Sequence, residues 1–152
     1  MVKLLIVKLI IREGIALPHV AGIVQVGIRG LGSGEAWQHD DARGWGSKLI
    51  SSYQIHRDGV AAALDHIDEG ARIFISIDCD GIDPAAFPAV NMPTPGGLTY
   101  EDLVLLFKGA AAKGSIAGLA LVEYVPERDD PHQLSGMTAA RIASLIMGLA
   151  TR

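Results

Sequence analysis

Three aspartates stand close together in the middle of the chain, directly after its most strand-like segment. The stretch FISIDCDGIDP (74–84) runs from apolar residues into Asp78, Asp80 and Asp83. Residues two apart in a strand point to the same face, so Asp78 and Asp80 are predicted to project together, with Cys79 packed inward. Two ionised carboxylates held side by side repel each other and need a positive partner. Oxygen ligands at this spacing are typical of a dication such as Mn²⁺ or Mg²⁺.

Two other interpretations of these aspartates remain open at the level of the sequence. Aspartate favours turns, which would account for Asp83 before Pro84 but not for two carboxylates at the end of a buried strand. An apolar strand followed by Asp-x-Asp-Gly also occurs in phosphatases of the haloacid-dehalogenase type, where the carboxylates act as nucleophile and general acid or base. That pattern normally continues with Thr or Ser, whereas Ile82 and Asp83 follow here. Metal binding is the preferred interpretation.

The elements that would position the aspartates alternate between strands and helices. They are predicted as strands at 22–28, 72–77 and 116–125, and as helices at 57–70, after Thr99 as N-cap, and at 136–150. Strands this apolar are usually buried on both faces, as in parallel sheets joined by right-handed crossovers. The predicted fold class is therefore α/β, a three-layer α/β/α arrangement with a mostly parallel sheet, in a single domain over residues 1–152.

Composition and charge narrow the class of protein. The 152 residues are 49% apolar and 20% charged, which is typical of a globular domain. A net charge of −4 argues against a nucleic-acid partner, because no basic stripe is available for phosphates. The run MVKLLIVKLII contains two lysines and is too short to cross a bilayer, so a buried strand or helix is expected. The single cysteine excludes an internal disulfide and, with no export signal, favours a cytoplasmic location.

Several segments resemble the arginase/agmatinase (ureohydrolase) family. SIDCDGIDP is similar to the family signature Ser-x-Asp-x-Asp-x-x-Asp-Pro, PTPGGLTYEDL to its Gly-Gly-Leu segment, and GLALVEYVP to its strand ending in Glu-Val-x-Pro. Upstream, VQVGIRGLGSGE resembles the strand and loop of agmatinase-like members. The resemblance covers about residues 12–152, whereas residues 1–11 look unrelated. It implies about half of an arginase-type fold, the carboxyl-terminal half.

The resemblance also implies a manganese-dependent site that hydrolyses a guanidino compound. Asp78 would bridge two Mn²⁺ ions and Asp80 would chelate one of them, and the ions would activate a water for attack on the guanidinium carbon. Glu123 would face the guanidinium, because a planar cation pairs well with a carboxylate. Asp83 would hold the loop and orient its neighbours. Since the intact family usually forms trimers or hexamers, a homo-oligomer is expected.

The residues that would select the substrate differ from the arginase pattern. Met92 stands where arginases place a hydroxyl residue before proline, and it is expected to lie at the substrate. The loop over 30–34 lacks the acidic groups that would meet an α-amino acid head, with only Glu35 left. A loop without those partners recognises an α-amino acid poorly. Agmatine or a guanidino acid is therefore favoured over arginine.

The other metal ligands of the family have no counterpart in this sequence. The Gly-Gly-Asp-His and Asp-Ala-His-x-Asp motifs of the family are absent from this chain, and so is the family's upstream proton-shuttle histidine. The histidines present match no family ligand position: His19, His39, His56, His66 and His132. Two carboxylates cannot hold two dications that need about four to six ligands each. The sequence therefore predicts a ureohydrolase half whose beginning is lost or replaced, nearly inactive alone. The alternative is an inactive remnant that acts at most as a binding module.

Overall fold

A computed structural model of the chain describes residues 1–7, 18–30 and 35–151. Strands and helices alternate along these residues, and one-turn 3₁₀ helices follow two of the strands at Cys79–Gly81 and Pro126–Arg128. The main elements in chain order are β1 (Val2–Val7), β2 (Val20–Ile28), α1 (Ala36–Gly44), β3 (Lys48–Ser51), α2 (Ser52–Asp58), α3 (Ala61–Leu64), β4 (Ala71–Asp78), α4 (Tyr100–Lys113), β5 (Gly114–Val122) and α5 (Leu134–Ala150).

The strands form a five-stranded sheet in the order β3-β2-β1-β4-β5, and every ladder between them is parallel. This topology confirms the predicted α/β class. The amino-terminal run supplies the central strand β1, where Val7 pairs with Val26 on one side and with Ile77 on the other. Because the strands are parallel, their carboxyl ends meet at one edge of the sheet, which is where ligand sites form in open α/β folds.

Burial on both faces is confirmed for β1 and β2, whereas β4 alternates between buried and half-buried residues and β5 is mostly half-buried. Leu5, Ile6 and Val7 in β1 are successive residues and all are fully buried. One face of the sheet packs against α2, α3, α4 and α5 through a continuous apolar cluster that contains Ile75 from β4 and Phe107 from α4. The alternating residue Ile6 lies outside that cluster and is buried on the opposite face.

The helix that begins after Thr99 is confirmed and has a complete cap. The Thr99 hydroxyl accepts a hydrogen bond from Asp102 N–H at 3.0 Å, and the Asp102 carboxylate accepts one from Thr99 N–H at 2.9 Å. This reciprocal pair is a capping box, which stabilises the first turn of α4. The closing helix is confirmed as α5. Among the described residues, no helix is long and apolar enough to span a lipid bilayer.

The helix predicted over 57–70 is wrong in its extent. Helix α2 ends at Asp58 because Gly59 has a φ of 77°, a conformation that stops the helix, and α3 covers only Ala61–Leu64. The predictions also omitted α1, β3 and α2. Helix α1 is a polar segment, AWQHDDARG, with one buried residue, Ala42, so its sequence lacks the apolar period that marks a helix.

Candidate functional site

The paired aspartates lie where β4 ends and a one-turn 3₁₀ helix begins. Asp78 is the last residue of β4 and is 5% exposed, and its Oδ1 accepts a hydrogen bond from Asp80 N–H at 3.0 Å. Asp80 is 7% exposed, and its Oδ1 accepts one from Met92 N–H at 3.3 Å. The side chains of β4 alternate between the two faces of the sheet only as far as Asp78, so this alternation, from which Asp80 was predicted to face the same way as Asp78, does not extend to Asp80. The position of Asp80 is set by the turn and by the loop that contains Met92.

A buried arginine braces this turn from the neighbouring part of the sheet. Arg29, directly after β2, is 4% exposed and donates hydrogen bonds to several main-chain oxygens. One of these bonds is to Asp80 O at 2.9 Å. Others are to the carbonyls of Gly27, Gly81, Ile82, Thr94 and Pro95. Burial lowers the pKa of Arg29, an effect that the nearby carboxylates of Asp83 and Asp80 oppose.

Sequence reasoning missed Arg29, because the acceptors named above, apart from Gly27, lie 51 to 66 residues away in the chain. The sequence around Arg29, GIRG, shows only that an arginine follows a strand. It does not predict which distant carbonyls the side chain contacts. The fixed guanidinium fork presents several donors at once, so one side chain can satisfy carbonyls from two different loops. Arg29 therefore joins the end of β2 to the aspartate turn and to the loop at 92–95.

Asp83 ties the start of the long loop to its glycine pair. Its Oδ1 accepts a hydrogen bond from Ala85 N–H at 2.9 Å, and its Oδ2 accepts from Gly96 N–H at 2.8 Å and Gly97 N–H at 3.1 Å. These bonds, with that from Ala85 the largest contribution, lower the pKa of Asp83. The carboxylate thus holds the loop closed on itself. Its predicted influence on metal ligands stays a prediction.

The lowered pKa of Asp83 gives a pH test of this clamp. A carboxylate with a lower pKa in the folded state stabilises the fold above its unfolded pKa, and this stabilisation is lost as the pH falls through the folded pKa. Asp83→Asn is therefore expected to be less stable than the wild type at neutral pH. The difference should shrink below about pH 4, the usual range of an aspartate. Urea denaturation at a series of pH values measures it, and a difference independent of pH would contradict the clamp.

Glu123 lies beside Asp78 at the same end of the sheet. Val122, the last residue of β5, pairs with Asp78, and Glu123 follows it with a φ of 64°. A positive φ is uncommon for a residue other than glycine, and such residues are frequent at functional sites. The side chain is exposed. The other predicted substrate residue, Met92, is 62% exposed, and its side chain is thus open to solvent.

Cys79 lies between the two aspartates and is fully buried in the apolar core, as predicted. Burial raises the pKa of its thiol to about 12, and the charges of Asp78, Asp80 and Glu123 add to this effect in that order. Because Val122 pairs with Asp78 and Glu123 follows Val122 directly, the aspartates and Glu123 lie at the same end of the sheet.

Other predicted features contribute less to the site. His56 Nε2 lies 3.3 Å from Asp102 Oδ2 at the start of α4. Residues 31–34 of the predicted substrate-selecting loop lie outside the described residues. Glu35, at the end of that loop, forms the N-cap of α1 through a capping box with Gln38.

The residues that the structure describes do not form a complete Mn²⁺ site by themselves. Ions of this type bind about six oxygen or nitrogen donors, and Asp78 and Asp80 supply two carboxylates. Within the described part of the chain, no group of three or more His, Cys, Asp and Glu side chains is placed to hold a metal ion. One oxygen of each aspartate also accepts a main-chain hydrogen bond. Further donors would have to come from outside this set.

Comparison with known families gives the context for this corner of the sheet. The sequence matches the model of the Arginase family over residues 6–148. The chain belongs to the arginase family. The resemblance seen in the sequence begins at about residue 12, whereas the family match begins at residue 6. The match therefore includes the end of β1.

Relatives within the arginase family are longer than this chain. The N(1)-aminopropylagmatine ureohydrolase of Thermus thermophilus is 36% identical over 132 residues, which cover 84% of this chain and 41% of the relative. The agmatine ureohydrolase structure from Thermoplasma volcanium has a TM-score of 0.78 and 26% identity, covering 99% of this chain and 55% of that one. An arginase-like protein of T. brucei, at 22% identity and a TM-score of 0.83, shares the fold, with coverages of 98% and 51%. The chain thus spans about half of an arginase-type fold, which confirms the prediction.

Proposed function

We propose that this chain provides part of the active site of a manganese-dependent ureohydrolase, which hydrolyses a linear guanidino compound such as agmatine to urea and an amine. The carrying observation is the placement of two buried carboxylates, Asp78 and Asp80, next to Glu123 at the carboxyl end of a parallel sheet. Buried carboxylates are stabilised by positive charge, and a bound dication would add to the charge of the neighbouring Arg29. Membership of the arginase family supports the same reaction class.

Glu123 is proposed to bind the guanidinium group. Its carboxylate follows β5 directly, one residue beyond the partner of Asp78, so a substrate held there would place its guanidinium beside the aspartates. Two parallel hydrogen bonds between a guanidinium and a carboxylate fix the plane and the orientation of the cation. The left-handed backbone at Glu123 turns the chain sharply and keeps this carboxylate at the end of the strand.

Met92 is proposed to line the part of the site that receives the remainder of the substrate. Its main chain is fixed by the hydrogen bond to Asp80, while its side chain is 62% exposed. A thioether offers packing to a methylene chain but no strong hydrogen bonds to the adjacent ammonium and carboxylate of an α-amino acid head. This supports agmatine or a guanidino acid over arginine. A relative named for N(1)-aminopropylagmatine points to the same substrate class.

The purified chain is expected to bind Mn²⁺ weakly and to release urea from agmatine only at background level. Asp78→Ala should weaken Mn²⁺ binding by at least about tenfold, because each ligand lost from a small donor set matters. The matched control is Asp65→Ala, which removes an exposed aspartate after α3 and should leave binding unchanged. Electron paramagnetic resonance measures free Mn²⁺, and a colorimetric assay measures urea.

Two results would contradict this assignment. Equal Mn²⁺ binding by the wild type and Asp78→Ala would remove Asp78 from the metal site. Strong Mn²⁺-dependent urea release by the chain alone, lost in Asp78→Ala, would show that the described donors suffice. The phosphatase interpretation is not retained, because the family match places the aspartate signature in the arginase family.

A further inference from the structure

One exposed cation lies in the loops that surround the candidate site. The segments that follow β4 and β5 at the carboxyl edge of the sheet, residues 79–99 and 123–133, contain a single Lys or Arg, which is Arg128. It ends the 3₁₀ helix Pro126–Arg128, five residues after Glu123, and its side chain is exposed. A site that receives only cations has no use for an arginine, because like charges repel. Arg128 therefore favours a ligand that also carries a negative group.

One nitrogen of the Arg128 side chain is fixed to the loop that contains Met92. Its Nη1 donates to Val90 O at 3.2 Å and to Asn91 O at 3.4 Å. The same loop is fixed to the aspartate turn, because Met92 N–H donates to Asp80 Oδ1 at 3.3 Å. Arg128 is thus held beside Met92, the residue proposed to contact the part of the substrate that lies beyond the guanidinium.

The segment that joins Glu123 to Arg128 is held on the same loop. Val125, between the two, donates its N–H to Ala89 O at 2.9 Å. Both charged residues therefore belong to one short stretch of chain that is anchored on one side of the Met92 loop. The carboxylate comes first, at the end of β5, and the guanidinium follows at the end of the 3₁₀ helix.

The remaining donors of Arg128 are left for a ligand. Nε and Nη2 make none of its described hydrogen bonds, and none of the ion pairs between described residues includes Arg128. The acids that follow it bind main-chain donors instead: Asp129 accepts from Gly136 N–H at 2.8 Å, and Asp130 accepts from His132 N–H at 2.6 Å. Nε and Nη2 lie on one side of the guanidinium plane and match the two oxygens of a carboxylate.

We propose that Arg128 binds a carboxylate at the far end of the substrate, and that the substrate is an ω-guanidino acid. This deepens the proposed function and rests on it. Glu123 binds the guanidinium, Met92 packs against the methylene chain, and Arg128 donates two hydrogen bonds to the carboxylate. An ammonium in the same place, as in agmatine, meets a like charge and gains no hydrogen bond, so Arg128 selects against it.

The test compares three compounds that share a guanidinium and have similar length. Butylguanidine ends in a methyl group, agmatine in an ammonium and guanidinobutyrate in a carboxylate. The methyl resonance of Met92, in protein labelled at the methionine methyl carbons and assigned with Met92→Leu, reports binding to the purified chain. Guanidinobutyrate is expected to bind about fivefold more tightly than butylguanidine, the size of an exposed charge pair. Agmatine is expected to bind no more tightly than butylguanidine.

Substitutions of Arg128 separate contact with the ligand from support of the loop. Arg128→Gln should bind guanidinobutyrate only as weakly as butylguanidine, while its affinity for butylguanidine stays that of the wild type. Arg128→Lys should recover part of the preference, because an ammonium keeps the charge but lacks the planar fork. The matched control is Arg141→Gln, which removes an exposed arginine in the middle of α5 and should keep the full preference.

The inference is overturned if guanidinobutyrate does not bind, if it binds no more tightly than butylguanidine, or if the preference persists in Arg128→Gln. An equal loss of butylguanidine binding in Arg128→Gln also overturns it, since Arg128 would then only hold the loop. Glu123→Gln tests the proposed function separately and should weaken the binding of all three compounds. Unchanged binding in Glu123→Gln, with the Arg128 variants behaving as expected, contradicts the guanidinium site and leaves the carboxylate site at Arg128 intact.

Discussion

Replacing Arg29 with methionine is expected to lower the free energy of unfolding by about 4 kcal/mol, which exceeds the cost of most single substitutions. Methionine fills a similar volume but donates no hydrogen bond. The carbonyls of Asp80, Gly81 and Thr94 would then lose a charged donor inside the protein, and each unsatisfied buried group costs about 1–3 kcal/mol. Chemical denaturation followed by circular dichroism measures the change.

The control for this substitution is Arg57→Met on α2. Arg57 is a surface residue whose hydrogen bonds are to the adjacent Asp58, so its loss should leave the free energy of unfolding unchanged. Arg29→Lys should retain part of the stability, since an ammonium keeps the charge but lacks the planar fork. Equal stability of Arg29→Met and Arg57→Met would show that the brace between the two loops contributes nothing.

Replacing Gly97 with alanine is expected to cost about 3 kcal/mol, at the upper end for an overpacked site. A Cβ at this position would lie 2.5 Å from Asp83 N and 2.5 Å from the carbonyl carbon of Ile82. Both are main-chain atoms of the segment that pairs with Leu98 across a parallel bridge, so relief requires the two loop ends to separate. The separation would break the hydrogen bond from Gly97 to Asp83 and loosen the clamp.

A matched glycine tests whether this cost is specific to the loop. Gly148 lies within α5, and a Cβ there meets nothing within 4 Å. Gly148→Ala should therefore raise the free energy of unfolding by about 0.5–1 kcal/mol, because alanine restricts the unfolded chain and favours the helix. Thermal melts of both variants make the comparison. Similar stability of Gly97→Ala and Gly148→Ala would show that the close approach of the two loop ends is not required for stability.

The parts of the fold that were predictable are those with a local physical signature. The strands β2 and β4 are predicted by their apolar runs alone. The start of α4 is likewise predicted locally, by Thr99 and by Asp102 three residues later. The polar helix α1 has no such pattern. The division between α2 and α3 depends on the positive φ of Gly59, which a helical period over 57–70 does not reveal.

The proximity of the candidate residues was predictable, but the construction of the site was not. The aspartate signature and the strand ending in Glu123 pointed to Asp78, Asp80 and Glu123 as candidates, and the sheet places them at the same end. The turn that places Asp80, its bond to Met92 and the brace from Arg29 all depend on contacts between distant segments. The sequence shows the residues that make these contacts, but it does not show that they are close together in space.

The buried thiol at the end of β4 offers a natural reporter of movement in this corner. Cys79 is the one cysteine of the sequence, and with a pKa of about 12 almost none of it is thiolate at neutral pH. Alkylating and disulfide reagents attack the thiolate, so the closed molecule is inert to them. Any labelling then counts the molecules in which the corner has opened, without the need for an engineered probe.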